Sequence, residues 1–421
     1  MAGDWDPDSG GRLSRRRALT LGGAAALTAV SARGIPGETA DSEPVTQPGP
    51  VGKIHDEGVT GAGVRIGVLD TTGFAPDHPA FADAVIGRRS FDAAPVVTDG
   101  ATHGTAAAAT VSLIAPDASL LLASFEGPAG FEQALEWFRR TGADVVVAPV
   151  AAYGESIAPD SAVVSAATAA ADSGVTVVAP TGNAARGHWR GTVSADLPRR
   201  LDVRPNDGER TTDRLLVWGG ATTADAPPVS LSLVRVFPEE RRRELVALSE
   251  RARQGGVERL RAELEAGRYE LVVSLPAGAE ADDTERAVAV TTPTHDLSPT
   301  HQRGSIAAPA SAPGVLAVGR LSDGEVTAYS GRGPTEDGRG GVDLAAEPRR
   351  WPTAADSGTS GAAARVAGVA ALVEAAAPTP AEGEPGTSLR LTAGRAGDPT
   401  PAVGYGPIDP VAAVRRAGRE R

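Results

Sequence analysis

Ser360 lies between Gly358-Thr359 and Gly361, ahead of the alanine-rich stretch 362–377. That pattern predicts a small-residue turn opening into a helix. Glycine and threonine there leave room for a substrate backbone. The helix start directs free N–H groups and partial positive charge at the serine's surroundings. Attack on a carbonyl builds negative charge on oxygen, so this is a setting that suits a hydrolytic serine. Such a serine also needs an imidazole to take its proton, a carboxylate to hold that imidazole, and donors for the oxyanion. His103 in Thr102-His103-Gly104-Thr105, Asp70 at the end of the apolar run 64–69, and Asn183 after Gly182 supply one of each.

The elements expected to position these groups alternate between strand and helix. Strands are predicted at 64–70, 119–125, 143–150 and 174–181, with helices at 103–113, 130–140 and 159–173. This rhythm implies parallel strands joined by crossover helices. Each of the four polar residues then falls at a strand's carboxyl end or a helix's amino end, the edge where open α/β sheets bind ligands.

The rhythm stops after Asn183. The run 229–236 alternates apolar and polar residues as a half-buried antiparallel strand does. Further strands are predicted at 215–218, 269–275 and 287–291. The charged stretch 238–266 carries Leu245, Leu248, Val257, Leu260 and Leu264 at roughly helical spacing, which predicts a helical excursion. Residues 200–298 therefore read as an inserted β-sandwich-like module, its charge taken as a solvated face. The α/β pattern resumes with a strand at 315–321, the helix behind Ser360, and a short helix near 411–416.

With these motifs in place, the chain resembles the subtilisin-like serine proteases (subtilases, the S8 peptidase family). Asp70-Thr71-Thr72-Gly73, His103-Gly104-Thr105, Thr181-Gly182-Asn183 and Gly358-Thr359-Ser360-Gly361-Ala362 are similar to the family's D-T-G, H-G-T, A-G-N and G-T-S-x-A patterns, in the same order. The similarity extends over most of 51–199 and 302–415. It implies an α/β, subtilisin-like three-layer fold with a mostly parallel central sheet plus the inserted module, and a serine endopeptidase acting on protein or peptide substrates. Catalytic roles are implied for Asp70, His103 and Ser360, with Asn183 as the oxyanion donor. His55, His78, His188, His295 and His301 lack such settings and read as surface or packing residues.

Several positions depart from the family pattern. The turn after Asp70 has one residue more than D-T-G, and Ala364-Arg365 stands where the family usually shows proline and histidine. Pro149-Val150-Ala151-Ala152-Tyr153-Gly154 replaces the S-L-G that lines the cleft, and proline has no N–H to offer a substrate. Residues 106–115 run straight on from the His103 helix, leaving no room for the calcium loop of many relatives. No cofactor is expected and no calcium site is recognisable. The stretch before the core is too short for the usual propeptide, so folding is expected to proceed without one or with help from elsewhere. These departures keep a second reading open, a protease-fold binding or scaffolding protein. A serine esterase using the same triad is a third.

The 421 residues carry a formal net charge of -12 and no cysteine, with Lys53 the only lysine. Acidity argues against nucleic acid or anionic membrane as partners. The lack of cysteine excludes disulfides, thiolate metal sites and a cysteine nucleophile. Ser14-Arg15-Arg16-Arg17 precedes an apolar stretch, 18–32, too short to span a bilayer. Residues 1–32 thus resemble a twin-arginine export signal, followed by a linker at 33–50. The peptidase core is expected at 51–199 and 299–421, flanking the module at 200–298. Export, no membrane segment after signal removal and a monomer are the corresponding expectations.

Overall fold

The computed structural model describes residues 49–92, 94–98, 102–155, 157–194, 196–205, 214–221, 229–251, 257–276, 285–348, 358–377, 385–394 and 398–419. The expected export signal and nearly all of the linker lie outside the described residues. A short helix α1 (Pro50–Asp56) leads into β1 (Arg65–Asp70), β2 (Val85–Phe91), helix α2 (His103–Ile114), β3 (Ser119–Phe125), α3 (Gly127–Arg140), β4 (Val145–Val147), α4 (Ala162–Asp172) and β5 (Thr176–Pro180). The inserted strands β6 (His188–Val193), β7 (Arg199–Pro205), β8 (Arg214–Ala221), β9 (Ser230–Phe237), β10 (Arg242–Leu248), β11 (Glu250–Arg251), β12 (Glu258–Glu263), β13 (Arg268–Ser274), β14 (Arg286–Thr291) and β15 (His295–Ser298) follow. Then come β16 (Leu316–Ser322), β17 (Glu325–Val326), β18 (Leu344–Ala346), α5 (Gly358–Ala376), α6 (Pro385–Thr392) and α7 (Pro410–Arg419).

The central sheet has eight strands, ordered β17-β16-β5-β4-β1-β3-β2 with β18 on β16, and only the β16–β17 pair is antiparallel. Every residue of β1 after Arg65 is buried. Such a run, apolar on both faces, is what a strand covered by helices on both sides requires. One face packs against α2, α5 and α7, the other against α3 and α4. Small residues let the two site-bearing helices close up. A side-chain carbon added at Gly368 of α5 would lie 2.7 Å from the Ile114 Cβ of α2.

The module consists of two five-stranded antiparallel sheets, β10-β9-β13-β7-β15 and β11-β12-β8-β14-β6. Leu201, Leu215, Leu231, Leu271, Val288 and Val290 face one another in its own core. The alternation along β13, with Tyr269, Leu271 and Val273 buried between half-buried residues, is the pattern of a strand with one face in the core. Strand β6 belongs to this layer although it begins at His188.

The helical excursion predicted for 238–266 is not formed among the described residues. The described part of that stretch makes β10, β11 and β12 instead. Pro238 to Arg241 close a turn, with Arg241 N–H donating to the Pro238 carbonyl at 3.1 Å, and β10 then folds back along β9. A bulge between Leu245 and Ala247 resets the alternation. Leu245 and Leu248 consequently face solvent, both 57% exposed, while Leu260 is fully buried. Their helical spacing is therefore incidental, because long-range pairing with β8 and β9 decides the conformation.

Candidate active site

Asp70 ends β1 and is fully buried. A carboxylate with no access to water must find its donors in the protein. One oxygen, Oδ1, accepts from the Thr72 N–H at 2.8 Å and the Thr72 hydroxyl at 2.7 Å. The other, Oδ2, lies 2.6 Å from His103 Nδ1. In a neutral ring, donation from Nδ1–H makes Nε2 the nitrogen carrying the lone pair, the form that can accept a proton.

His103 is the first residue of α2, and that helix start is fastened directly to the aspartate turn. Thr102 caps the helix by accepting from the Thr105 N–H at 3.1 Å, and its hydroxyl donates to the Gly73 carbonyl at 2.7 Å. The Gly104 N–H donates to Thr72 Oγ1 at 3.0 Å. Glycine is required at 104: a Cβ there would sit 2.5 Å from the Gly73 carbonyl oxygen and 3.0 Å from Asp70 Cβ. Thr72 thus touches both the acid and the helix bearing the base. Sequence reasoning missed it, and the one signal was the additional residue in Asp70-Thr71-Thr72-Gly73.

Ser360 is the third residue of α5, in the turn whose N–H groups have no partner within the helix. Its hydroxyl donates to the Pro149 carbonyl at 2.9 Å. Pro149 lacks an N–H, as the sequence dictates, yet its carbonyl is an acceptor at the serine. Asn183 follows β5, and its Oδ1 accepts from both the N–H and the hydroxyl of Thr359 at 3.0 Å. A backbone N–H can only donate, so this contact assigns Oδ1 to Thr359 and leaves Nδ2 as the amide's donor. The Asn183 N–H donates to the Tyr153 hydroxyl at 2.6 Å.

The four predicted residues therefore fall into two directly bonded groups at one edge of the sheet. Asp70 and His103 form the first, and Asn183 is joined to Ser360's neighbour Thr359 in the second. Packing of α2 against α5 brings the two groups onto the same side. Elsewhere, His78 stacks on Phe81 at 5.3 Å, His55 bonds the Ile114 carbonyl, and His188 bonds the His301 carbonyl. Among the described residues no group of three metal-ligating side chains is assembled, and no helix is long and apolar enough to cross a membrane.

Residues 283–406 match the model of the subtilase family of S8 peptidases. Subtilisin Savinase of Lederbergia lenta is 32% identical over 193 residues, 42% of this chain and 68% of the relative. The alkaline protease of Alkalihalobacillus alcalophilus is 32% identical over the same length, and the chain spans about half of that relative, 48%. In fold, the chain is similar to the CspB protease of Clostridium perfringens, with a TM-score of 0.57 at 16% identity, covering 86% of this chain and 94% of the other. By its ordered motifs, the three-layer sheet that carries them and these relatives, the chain belongs to the subtilase family.

Proposed function

We propose that this protein is an exported serine endopeptidase. The observation carrying the reading is the 2.6 Å bond between His103 Nδ1 and the buried Asp70, made on the edge where Ser360 and Asn183 also lie. Ser360 Oγ attacks the scissile carbonyl carbon while His103 Nε2 takes its proton. Asp70 stabilises the imidazolium so formed, and Asn183 Nδ2 with the Ser360 N–H binds the oxyanion. His103 then protonates the leaving amine, the C–N bond breaks, and an acyl-serine remains. Water, deprotonated by His103, releases the acid and restores the hydroxyl. A hydroxyl has one proton to donate, so the Ser360 bond to the Pro149 carbonyl must give way to one with the imidazole before attack. Export rests on the arginine run and the apolar stretch that follows it. A precursor that stays in the cytoplasm after Arg15 and Arg16 are both replaced by lysine, while the native precursor is exported, is the expected outcome.

A fluorophosphonate probe tests the chemistry. Stoichiometric labelling of Ser360, abolished in Ser360→Ala and His103→Ala, is expected. A folded protein that refuses the probe would favour a binding or scaffolding protein instead. Labelling accompanied by turnover of esters and not of peptides would favour an esterase.

A further inference from the structure

The geometry points to Tyr153, backed by Trp218 of the inserted module, as the residue that selects the side chain preceding the cleaved bond. This assignment rests on the peptidase reading. Two backbone segments border the serine. The segment 149–154 touches it through the Pro149 carbonyl, 2.9 Å from Ser360 Oγ. The segment 181–183 touches its neighbour through Asn183 and Thr359. A carbonyl carbon placed at Ser360 with its oxygen toward Asn183 Nδ2 lies between these segments. The side chain on the adjoining carbon then has the gap between them as its nearest space.

That gap has a fixed width. Ala152 N–H donates to the Ala308 carbonyl at 2.8 Å, and Ala307 N–H donates to the Thr181 carbonyl at 3.1 Å. Ala307 and Ala308, both buried, tie the two walls together as a floor. The Tyr153 ring bridges the walls above it, its hydroxyl accepting the Asn183 N–H at 2.6 Å. A Cβ at Gly182 would already stand 3.1 Å from that hydroxyl and 3.4 Å from Ala307 Cβ. Glycine at 182 accommodates the phenol, and the phenol takes up volume that a large substrate side chain would need.

The inserted module holds the ring in place. The Trp218 side chain of β8 is 4% exposed and lies 5.9 Å from the Tyr153 ring, centroid to centroid, at 32°. A Cβ at Gly154 would come within 2.7 Å of Trp218 Nε1, so the module's surface rests directly on the backbone following the tyrosine. Tyr153 therefore cannot swing away from the gap on that side without displacing a buried indole. The expected preference is for glycine, alanine or serine before the cut. The tyrosine hydroxyl also positions Asn183, linking the module to the oxyanion donor.

The test measures phosphonylation of Ser360 by peptidyl diphenyl phosphonates that differ only in the side chain next to phosphorus, methyl against benzyl. The serine oxygen attacks phosphorus and phenol leaves, and mass spectrometry follows the adduct. The native protein should react with the methyl compound faster than the benzyl one by about tenfold or more. Tyr153→Ala should level or reverse that ratio, and Trp218→Ala should move it the same way by less. Tyr153→Phe keeps the ring, so it should preserve the ratio while slowing both reactions through loss of the Asn183 acceptor. Should Tyr153→Ala fail to fold by circular dichroism, Tyr153→Leu and Trp218→Ala read the same ratio. Equal slowing of both compounds with an unchanged ratio would overturn the assignment and leave the peptidase reading standing. A native protein that no fluorophosphonate labels would overturn both.

Discussion

Asp70 Oδ2 and His103 Nδ1, separated by 33 residues in sequence, stand 2.6 Å apart with the carboxylate wholly buried. The remaining carboxylate oxygen is held by two donors of Thr72, so the acid cannot rotate away from the imidazole without breaking both. Asp70→Asn removes the charge and can present an N–H where His103 needs an acceptor. The imidazole is then held in the wrong tautomer. The expected consequence is a fall in kcat of about four orders of magnitude with the fold intact, read from peptide hydrolysis beside a near-native melting curve. A loss of less than about tenfold would mean that the proton is taken by another group.

Asn183 presents its amide nitrogen because Thr359 occupies its oxygen. Asn183→Ala should reduce kcat by about two to three orders of magnitude, with KM little changed. In the proposed reaction the bond it supplies strengthens only as the oxyanion forms. A change confined to KM would place Asn183 in substrate binding. Thr359→Ala removes one of the two donors that orient the amide and should show a smaller loss of the same kind.

Gly104 allows the start of α2 to press against the turn after Asp70. Gly104→Ala puts a carbon 2.5 Å from a backbone oxygen, which neither wall can yield without moving the acid or the histidine. Overpacking of this sort costs about 1–3 kcal/mol, so a lower melting temperature and a lower kcat should appear together. Unchanged stability with full activity would show that the turn is looser than its contacts imply.

His188, buried in β6, has its imidazole pushed down to about 4 from the ordinary 6.5. Burial is the main cause, the nearby Arg190 and His301 act the same way, and the bond to the His301 carbonyl opposes them. Between those two values the unfolded chain binds a proton that the folded chain excludes. Unfolding therefore becomes easier as pH falls through that window, and the effect levels off below about pH 4. The contribution over the window is on the order of 3 kcal/mol. Urea unfolding at about pH 7.5, 5.5 and 4 should show a shallower decline for His188→Gln than for the native protein. Parallel curves would mean that the imidazole is already charged in the folded state.

The sequence alone determined which chemical groups the chain owns and the rhythm that carries them. Asp70, His103, Asn183 and Ser360 each sit at the boundary of an apolar run or a small-residue helix, and such boundaries are written in consecutive residues. The parallel sheet was legible for the same reason, since strands buried on both faces read as unbroken apolar stretches. Tertiary structure decided what depends on partners far away in the chain. Pairing with β8 and β9 turned a helically spaced leucine stretch into strands. The close approach of α2 to the aspartate turn gave Thr72 its two roles. The module set Trp218 behind Tyr153, beside Asn183, and no local period could encode that, because the space between two segments is fixed only when both are packed.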